Sequence, residues 1–263
     1  MDLQNICNNT IDLTKSVGDF IRSERLKFTS EAVTVKGKND FVTHVDKGAE
    51  ELLVAGLRKI IDGAGFITEE GTAGHTDEKY KWVIDPIDGT TNFIHGAPPY
   101  CISIGLLEDK HLVMGVVYEI SHDECFYAYG DSPAFLNGKE IKVSDTPKVA
   151  GSLIATGFPY RYYDKMDGFM KTLEYFFENS HGVRRLGSAA ADLCYVACGR
   201  YDSFYEYGLK PYDMAGGAYI IKRAGGIVKN FQGEDDFLFG GEIIATNHNI
   251  YDEFQQIIEG FMG

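Results

Sequence analysis

Apolar residues at Leu3, Ile6, Leu13, Val17, Phe20 and Ile21 recur with a helical period between polar ones, and predict an amphipathic helix over residues 3–27. A β-rich piece, Ala32-Val33-Thr34-Val35, runs into a loop at Lys36-Gly37-Lys38-Asn39. Asp46 then opens a second helix through Leu52, Leu53, Leu57, Ile60 and Ile61, ending near Gly63. Tyr80-Lys81-Trp82-Val83-Ile84 reads as a buried strand that ends in a carboxylate, Asp85. Beyond residue 100 the pattern is that of an antiparallel meander: Ile102 to Leu107, a turn at Glu108-Asp109-Lys110, Val113 to Tyr118, Glu124 to Tyr129, and an Asn137-Gly138 hairpin signal.

The meander stops around Ser144 to Pro147, and short strands then alternate with helices. Ser152 to Thr156 predicts a strand, Asp164 a cap for a helix bearing Phe169, Leu173 and Phe176, and Tyr201 to Tyr207 a strand with Glu206 near its end. Glu242 to Thr246 closes the sheet pattern before a terminal helix with Ile250, Phe254, Ile257, Ile258 and Phe261. The coarse expectation is α+β over residues 1–144 and α/β over 145–263.

Chemistry concentrates in Asp85-Pro86-Ile87-Asp88-Gly89-Thr90-Thr91-Asn92-Phe93. Pro86 pushes Asp85 into an extended conformation, so Asp85, Asp88 and the Ile87 carbonyl can point to one spot at the strand's end. Such hard oxygen ligands suit Mg²⁺ or Mn²⁺. Gly89-Thr90 allows close backbone approach and offers N–H donors to a phosphate. The competing reading is a plain turn, since Asp, Pro and Gly are turn residues. Two further acids bear on the choice: Glu69, beside Glu70 after a short apolar run, and Asp213 at the start of an apolar helix. If Glu69, Asp85, Asp88 and Asp213 converge, each neighbouring pair repels by about 4 kcal/mol at an effective dielectric near 20, and divalent ions reverse that sign.

Glu69-Glu70-Gly71, Trp82 to Phe93, Pro211-Tyr212-Asp213-Met214-Ala215-Gly216-Gly217 and Ala224-Gly225-Gly226 together resemble the inositol monophosphatase family in order and spacing. The resemblance implies the layered αβαβα sandwich shared with fructose-1,6-bisphosphatase, and hydrolysis of a phosphate monoester. It implies one Mg²⁺ on Glu69, Asp85 and the Ile87 carbonyl, a second on Asp85, Asp88 and Asp213, and often a third near Glu69. Asp46 and Thr90 would orient the attacking water, and the Gly89 and Thr90 amides would hold the phosphate. Gly187-Ser188-Ala189 and Glu206 would meet the hydroxyls of the substrate. Lithium sensitivity and a homodimer are further implications. Asp46, Ser188 and Asp213 each also read as ordinary helix caps, and Glu206 as the solvent side of a strand. Thr91-Asn92-Phe93 matches the inositol branch better than relatives acting on 3′-phosphoadenosine phosphates, while NADP and fructose 1,6-bisphosphate stay open as esters. A role as a binding partner of transcription complexes is the alternative from another class. Tyr212 stands where the family usually has Trp.

Composition narrows the field. The chain has 263 residues, 44% of them hydrophobic and 24% charged, as expected of a globular protein with a sizeable core. A formal net charge of −14 argues against sequence-independent nucleic-acid binding. The N-terminus lacks a signal pattern and no window is apolar enough for a membrane span, so a cytoplasmic location is expected. The five cysteines, Cys7, Cys101, Cys125, Cys194 and Cys198, form no Cys-x-x-Cys pair, and Cys194 and Cys198, four apart on one helix face, read as packed thiols and not as ligands. His95, His111 and His122 read as surface-loop residues.

Overall fold

The computed structural model describes residues 1–27, 33–37, 40–73, 78–159 and 162–263. The expected start of the β-rich piece at Ala32, the loop at Lys38 and Asn39, and Tyr160 and Arg161 lie outside the described residues.

Helix α1 (Leu3–Lys27) follows the apolar period closely and buries Ile6, Val17 and Ile21. After the hairpin β1 (Val33–Gly37) and β2 (Asp40–Thr43), helix α2 (His44–Ile60) packs alongside α1. Both lie on a seven-stranded sheet in sequence order: β3 (Gly65–Thr68), β4 (Tyr80–Asp88), β5 (Cys101–Glu108), β6 (His111–Glu119), β7 (Glu124–Tyr129), β8 (Ala134–Leu136) and β9 (Lys139–Ile141). Only the β3–β4 pair is parallel. The β8–β9 hairpin turns at Asn137 and Gly138, both at positive φ, as the pair's sequence predicts.

A second sheet of five strands runs in the order β11 (Gly182–Arg184), β10 (Leu153–Thr156), β12 (Ser203–Tyr207), β14 (Glu242–Thr246) and β13 (Ile227–Lys229). Its first three strands are parallel and its last two pair antiparallel. Helices α5 (Ala189–Ala197) and α6 (Pro211–Arg223) fill the space between the sheets, and both touch strands of each. The outer layer on the second sheet holds α4 (Met166–Asn179) and α8 (Tyr251–Met262), whereas the short α3 (Thr90–His95) touches β2, and α7 (Phe237–Gly240) touches α6 and β14.

The layers are therefore helix, sheet, helix, sheet, helix, with a separate apolar core in each gap. One core packs α1 and α2 on the outer face of the first sheet through Leu53, Trp82, Ile102 and Val116. A middle core joins both sheets through Val83, Val117, Leu193, Ala215, Ile220 and Phe204. The last closes α4 and α8 over Tyr205 and Ile244. In β4, Trp82 and Ile84 join the first core while Val83 joins the middle one, as the period of two requires. Among the described residues, no helix is long and apolar enough to cross a membrane.

Two local expectations are corrected. Lys165, not Asp164, is the N-cap of α4. Helix α2 begins at His44, so Asp46 sits inside its first turn. His122 lies exposed in a turn, as expected, with its Nδ1 2.8 Å from Oε2 of the buried Glu119.

Candidate active site

Strand β4 does not end at Asp85 but continues through Asp88. Asp85 pairs with Ser103 and Asp88 with Cys101, so β4 carries one extra residue there, a bulge. The bulge turns the Ile87 amide back to donate to Asp85 Oδ1 at 2.9 Å, and leaves the Ile87 carbonyl 3.0 Å from Thr90 Oγ1. Thr90 Oγ1 is also 3.1 Å from Asp46 Oδ1, so its single proton has two alternative acceptors. Gly89, between strand and helix, has φ +90, and a Cβ there would lie 3.1 Å from the Pro99 carbonyl and 3.2 Å from that of Gly187.

Asp88 reaches the helix layer. Its Oδ2 accepts from Ser188 Oγ at 2.5 Å and from the Ala190 amide at 2.7 Å, while Ser188 Oγ caps α5 by accepting from the Ala191 amide. The α5 N-terminus, which the sequence offers to a ligand, is thus already holding Asp88. Asn92 adds a second tie, donating to the Pro99 and Leu186 carbonyls at 2.8 Å. Asp213 is the third residue of α6, not its N-cap, and its Oδ2 accepts from the Lys210 amide at 2.6 Å. Ser103 Oγ donates to the Tyr212 carbonyl, which seats the start of α6 against β5.

One carboxylate oxygen from each of Asp85, Asp88 and Asp213 lies within 4.8 Å of the others. Glu69, just past β3, lines the same cavity as Asp88 and Asp213. Burial, followed by repulsion from Asp213, Glu70 and Asp46, pushes the Glu69 carboxyl well above the ordinary range. Asp85 is raised in the same direction by burial and then by Glu69, Asp88 and Asp213. Asp88 is pushed up to about 6 by burial, against the pull of Ser188, the α5 amides and Arg185. Without a cation these acids take up protons more readily than they would in water. The donor set is all oxygen, buried and short of positive charge, which fits hard divalent cations.

The cavity, about 160 Å³, continues from these acids toward the second sheet, lined by Gly157, Phe158, Arg185, Gly187, Ser188, Ala189, Asp192 and Glu206. Glu206 sits near the end of β12, pushed up to about 8 by burial and by Asp213 and Asp88. Its carboxylate rests directly over Gly157, where a Cβ would stand only 1.9 Å away. Asp192, one turn into α5, is 1% exposed, and its Oδ1 has no hydrogen-bond partner among the described residues. Burial and the nearby Glu206 and Asp88 raise it far above the usual carboxylate range, with Arg185 opposing. Arg185 itself stacks over Phe158 at 5.3 Å.

Of the acids singled out in the sequence, Glu69, Asp88, Glu206 and Asp213 line one cavity, Asp85 lies within 4.8 Å of Asp88 and Asp213, and Asp46 stands against Thr90. Sequence reasoning missed Gly157, Arg185 and Asp192. Asp192 carried a signal, an acid in the first turn of a helix of small residues, whereas nothing in the sequence pairs Gly157 with Glu206.

Comparisons with known proteins agree with this architecture. Residues 2–259 match the model of the inositol monophosphatase family. The chain is 40% identical over 252 residues to the Nus factor SuhB of Pseudomonas aeruginosa, covering 93% of this chain and 92% of that protein. It is 39% identical over 219 residues to an inositol-1-monophosphatase of Mesorhizobium japonicum, covering 83% and 82%. The crystal structure of the extragenic suppressor protein suhB from Bartonella henselae superposes with a TM-score of 0.92 at 32% identity, covering 97% of this chain and 98% of that one.

Proposed function

Because the chain belongs to the inositol monophosphatase family, we propose that it is a magnesium-dependent hydrolase of small phosphate monoesters, with myo-inositol 1-phosphate as its preferred substrate. The observation that carries this reading is the meeting of Asp85, Asp88 and Asp213, from two separate elements, within 4.8 Å of one another beside a cavity that Asp88, Asp213 and Glu206 line.

Glu69, Asp85 and the Ile87 carbonyl would hold one ion, and Asp85, Asp88 and Asp213 a second, with a third on the Glu69 side. Bound there, magnesium supplies positive charge to the phosphate and makes a water more acidic. The chain's own part is positioning. Thr90 Oγ1 receives a proton from the attacking water as its own proton passes to Asp46 Oδ1, 3.1 Å away. The Gly89 and Thr90 amides hold the phosphate oxygens, with Gly89 in the left-handed conformation that turns them inward. Glu206 takes the hydroxyls of the leaving alcohol, with the Gly187-Ser188-Ala189 segment lining the cavity beside it while Ser188 Oγ stays engaged with Asp88. Inhibition by lithium, a homodimer and a cytoplasmic location complete the reading.

A second reading follows from the name of the Pseudomonas relative, Nus factor: a partner of transcription complexes that keeps the acids for structure. The complete acid set and the Thr90–Asp46 pair favour catalysis.

Phosphate release from inositol 1-phosphate, NADP, fructose 1,6-bisphosphate and adenosine 3′,5′-bisphosphate, with Mg²⁺ and with chelator, tests both. Magnesium-dependent turnover led by the inositol ester is expected. Folded protein that turns over none of them favours the partner reading, and preference for the adenosine compound moves the chain to another branch.

A further inference from the structure

One turn beyond Asp46 on α2 stands Glu50, a fully buried carboxylate outside the acid cluster. The spacing of four puts the two acids on one helix face, but they serve different loops. Asp46 reaches Thr90, in the segment after β4. Glu50 reaches the segment after β3: its Oε2 accepts from the Glu70 amide at 2.7 Å, and its Oε1 from the Thr72 amide at 2.9 Å and Thr72 Oγ1 at 2.8 Å.

These bonds hold the turn on both sides of Gly71, starting at the residue that follows Glu69. On its other side, the Glu69 amide donates to the Ile84 carbonyl of β4 at 3.3 Å. The Glu69 side chain itself faces repulsion from Asp213, Glu70 and Asp46. A short surface turn, with Gly71 at φ +72, would relieve that repulsion by swinging outward unless its backbone were anchored. Charge-assisted bonds to a carboxylate on a rigid helix are the strong kind of anchor. The Glu50 oxygens are engaged by two amides and a hydroxyl of the turn.

We propose that Glu50 is the positioning residue of the cation centre: it fixes the backbone at Glu70 and Thr72 so that the Glu69 carboxylate stays in place to ligate, and α2 thereby sets both loops of the site from one face. The inference rests on the metal-centre reading above and deepens it.

The test is calorimetric titration of the full-length protein with Mg²⁺ alone, beside Mg²⁺-dependence and KM in the phosphatase assay. Glu50→Ala is expected to weaken Mg²⁺ binding at least tenfold, with KM for the ester at saturating Mg²⁺ within twofold. Glu50→Gln, which keeps an acceptor oxygen, should restore part of the affinity. Thr72→Ala removes only the hydroxyl bond, and a two- to fivefold loss is expected of it, which covers the case of a Glu50→Ala protein that fails to fold. Unchanged Mg²⁺ affinity in folded Glu50→Gln and Thr72→Ala, or a fall in kcat with Mg²⁺ affinity intact, would overturn the proposal. Because Mg²⁺ binding is read without substrate, a wrong assignment of the ester leaves this result interpretable.

Discussion

The two ends of the cavity are built differently. At the end set by the first sheet, the polar groups are tied down: Asp85 by the Ile87 amide, Asp88 by Ser188 and Ala190, Thr90 by Asp46, and the turn after Glu69 by Glu50. At the end set by the second sheet, Asp192 Oδ1 lacks a partner among the described residues, and Glu206 is held in place by the absence of a side chain at Gly157. Buried polar atoms without partners are uncommon in folded proteins and cost free energy. On the proposed phosphatase reading, the difference amounts to a division of labour: a preorganised end for the part common to all phosphate esters, and an end with an unused acceptor for the part that varies between them.

The hardest blow to this contrast is at the tied end. Asp85→Asn is expected to lower kcat by at least about a thousandfold, as loss of a group that stabilises transition-state charge does. With chelator present the same variant should melt no lower than wild type, because one source of repulsion is gone. Near-normal turnover of Asp85→Asn would abolish the distinction between the ends.

Next in size is the response to pH without metal. The Asp88 and Glu206 carboxyls rise from ordinary values of 3.8 and 4.5 to about 6 and about 8, so the folded protein binds protons that the unfolded chain releases. Stability contributed by such groups is highest below their unfolded values and falls as pH rises through the folded ones. In chelator, Tm should therefore drop between pH 5 and pH 8, on the order of 5 °C or more. Glu206→Gln should flatten the upper part of that decline, and saturating Mg²⁺ should remove its lower part. A metal-free Tm that climbs over this interval contradicts the burial of these acids.

The smallest effects belong to the open end and sharpen the comparison. Gly157→Ala displaces the Glu206 carboxylate, and the loss in kcat/KM should be roughly tenfold for the inositol ester, the cost of one weakened polar contact, with p-nitrophenyl phosphate within twofold. Glu206→Ala should alter the preference among esters in the same direction. Equal losses on both substrates would assign Gly157 to the fold and not to selectivity.

Much of the tied end was legible beforehand because its chemistry is local: Asp85, Ile87, Asp88, Gly89 and Thr90 lie in one run, and the Asn137-Gly138 turn and the α1 period are equally short-range. What escaped the sequence depends on contacts between distant segments. The extension of β4 is set by its register with β5, and the anchoring of Asp88 by α5, about a hundred residues further on. The clearance between Gly157 and Glu206 exists only once β10 and β12 are paired. Asp213 was found at the right helix but assigned the wrong position in it, because Lys210 supplies the N-cap without being a typical capping residue.

The middle core has a bearing on how this protein is made. Val83, Val117 and Phe126 belong to strands near the front of the chain, yet the helices that shelter them, α5 and α6, are translated much later. Were the first sheet to pair before α5 and α6 exist, its inner face would stand bare to water until residue Arg223 had been made.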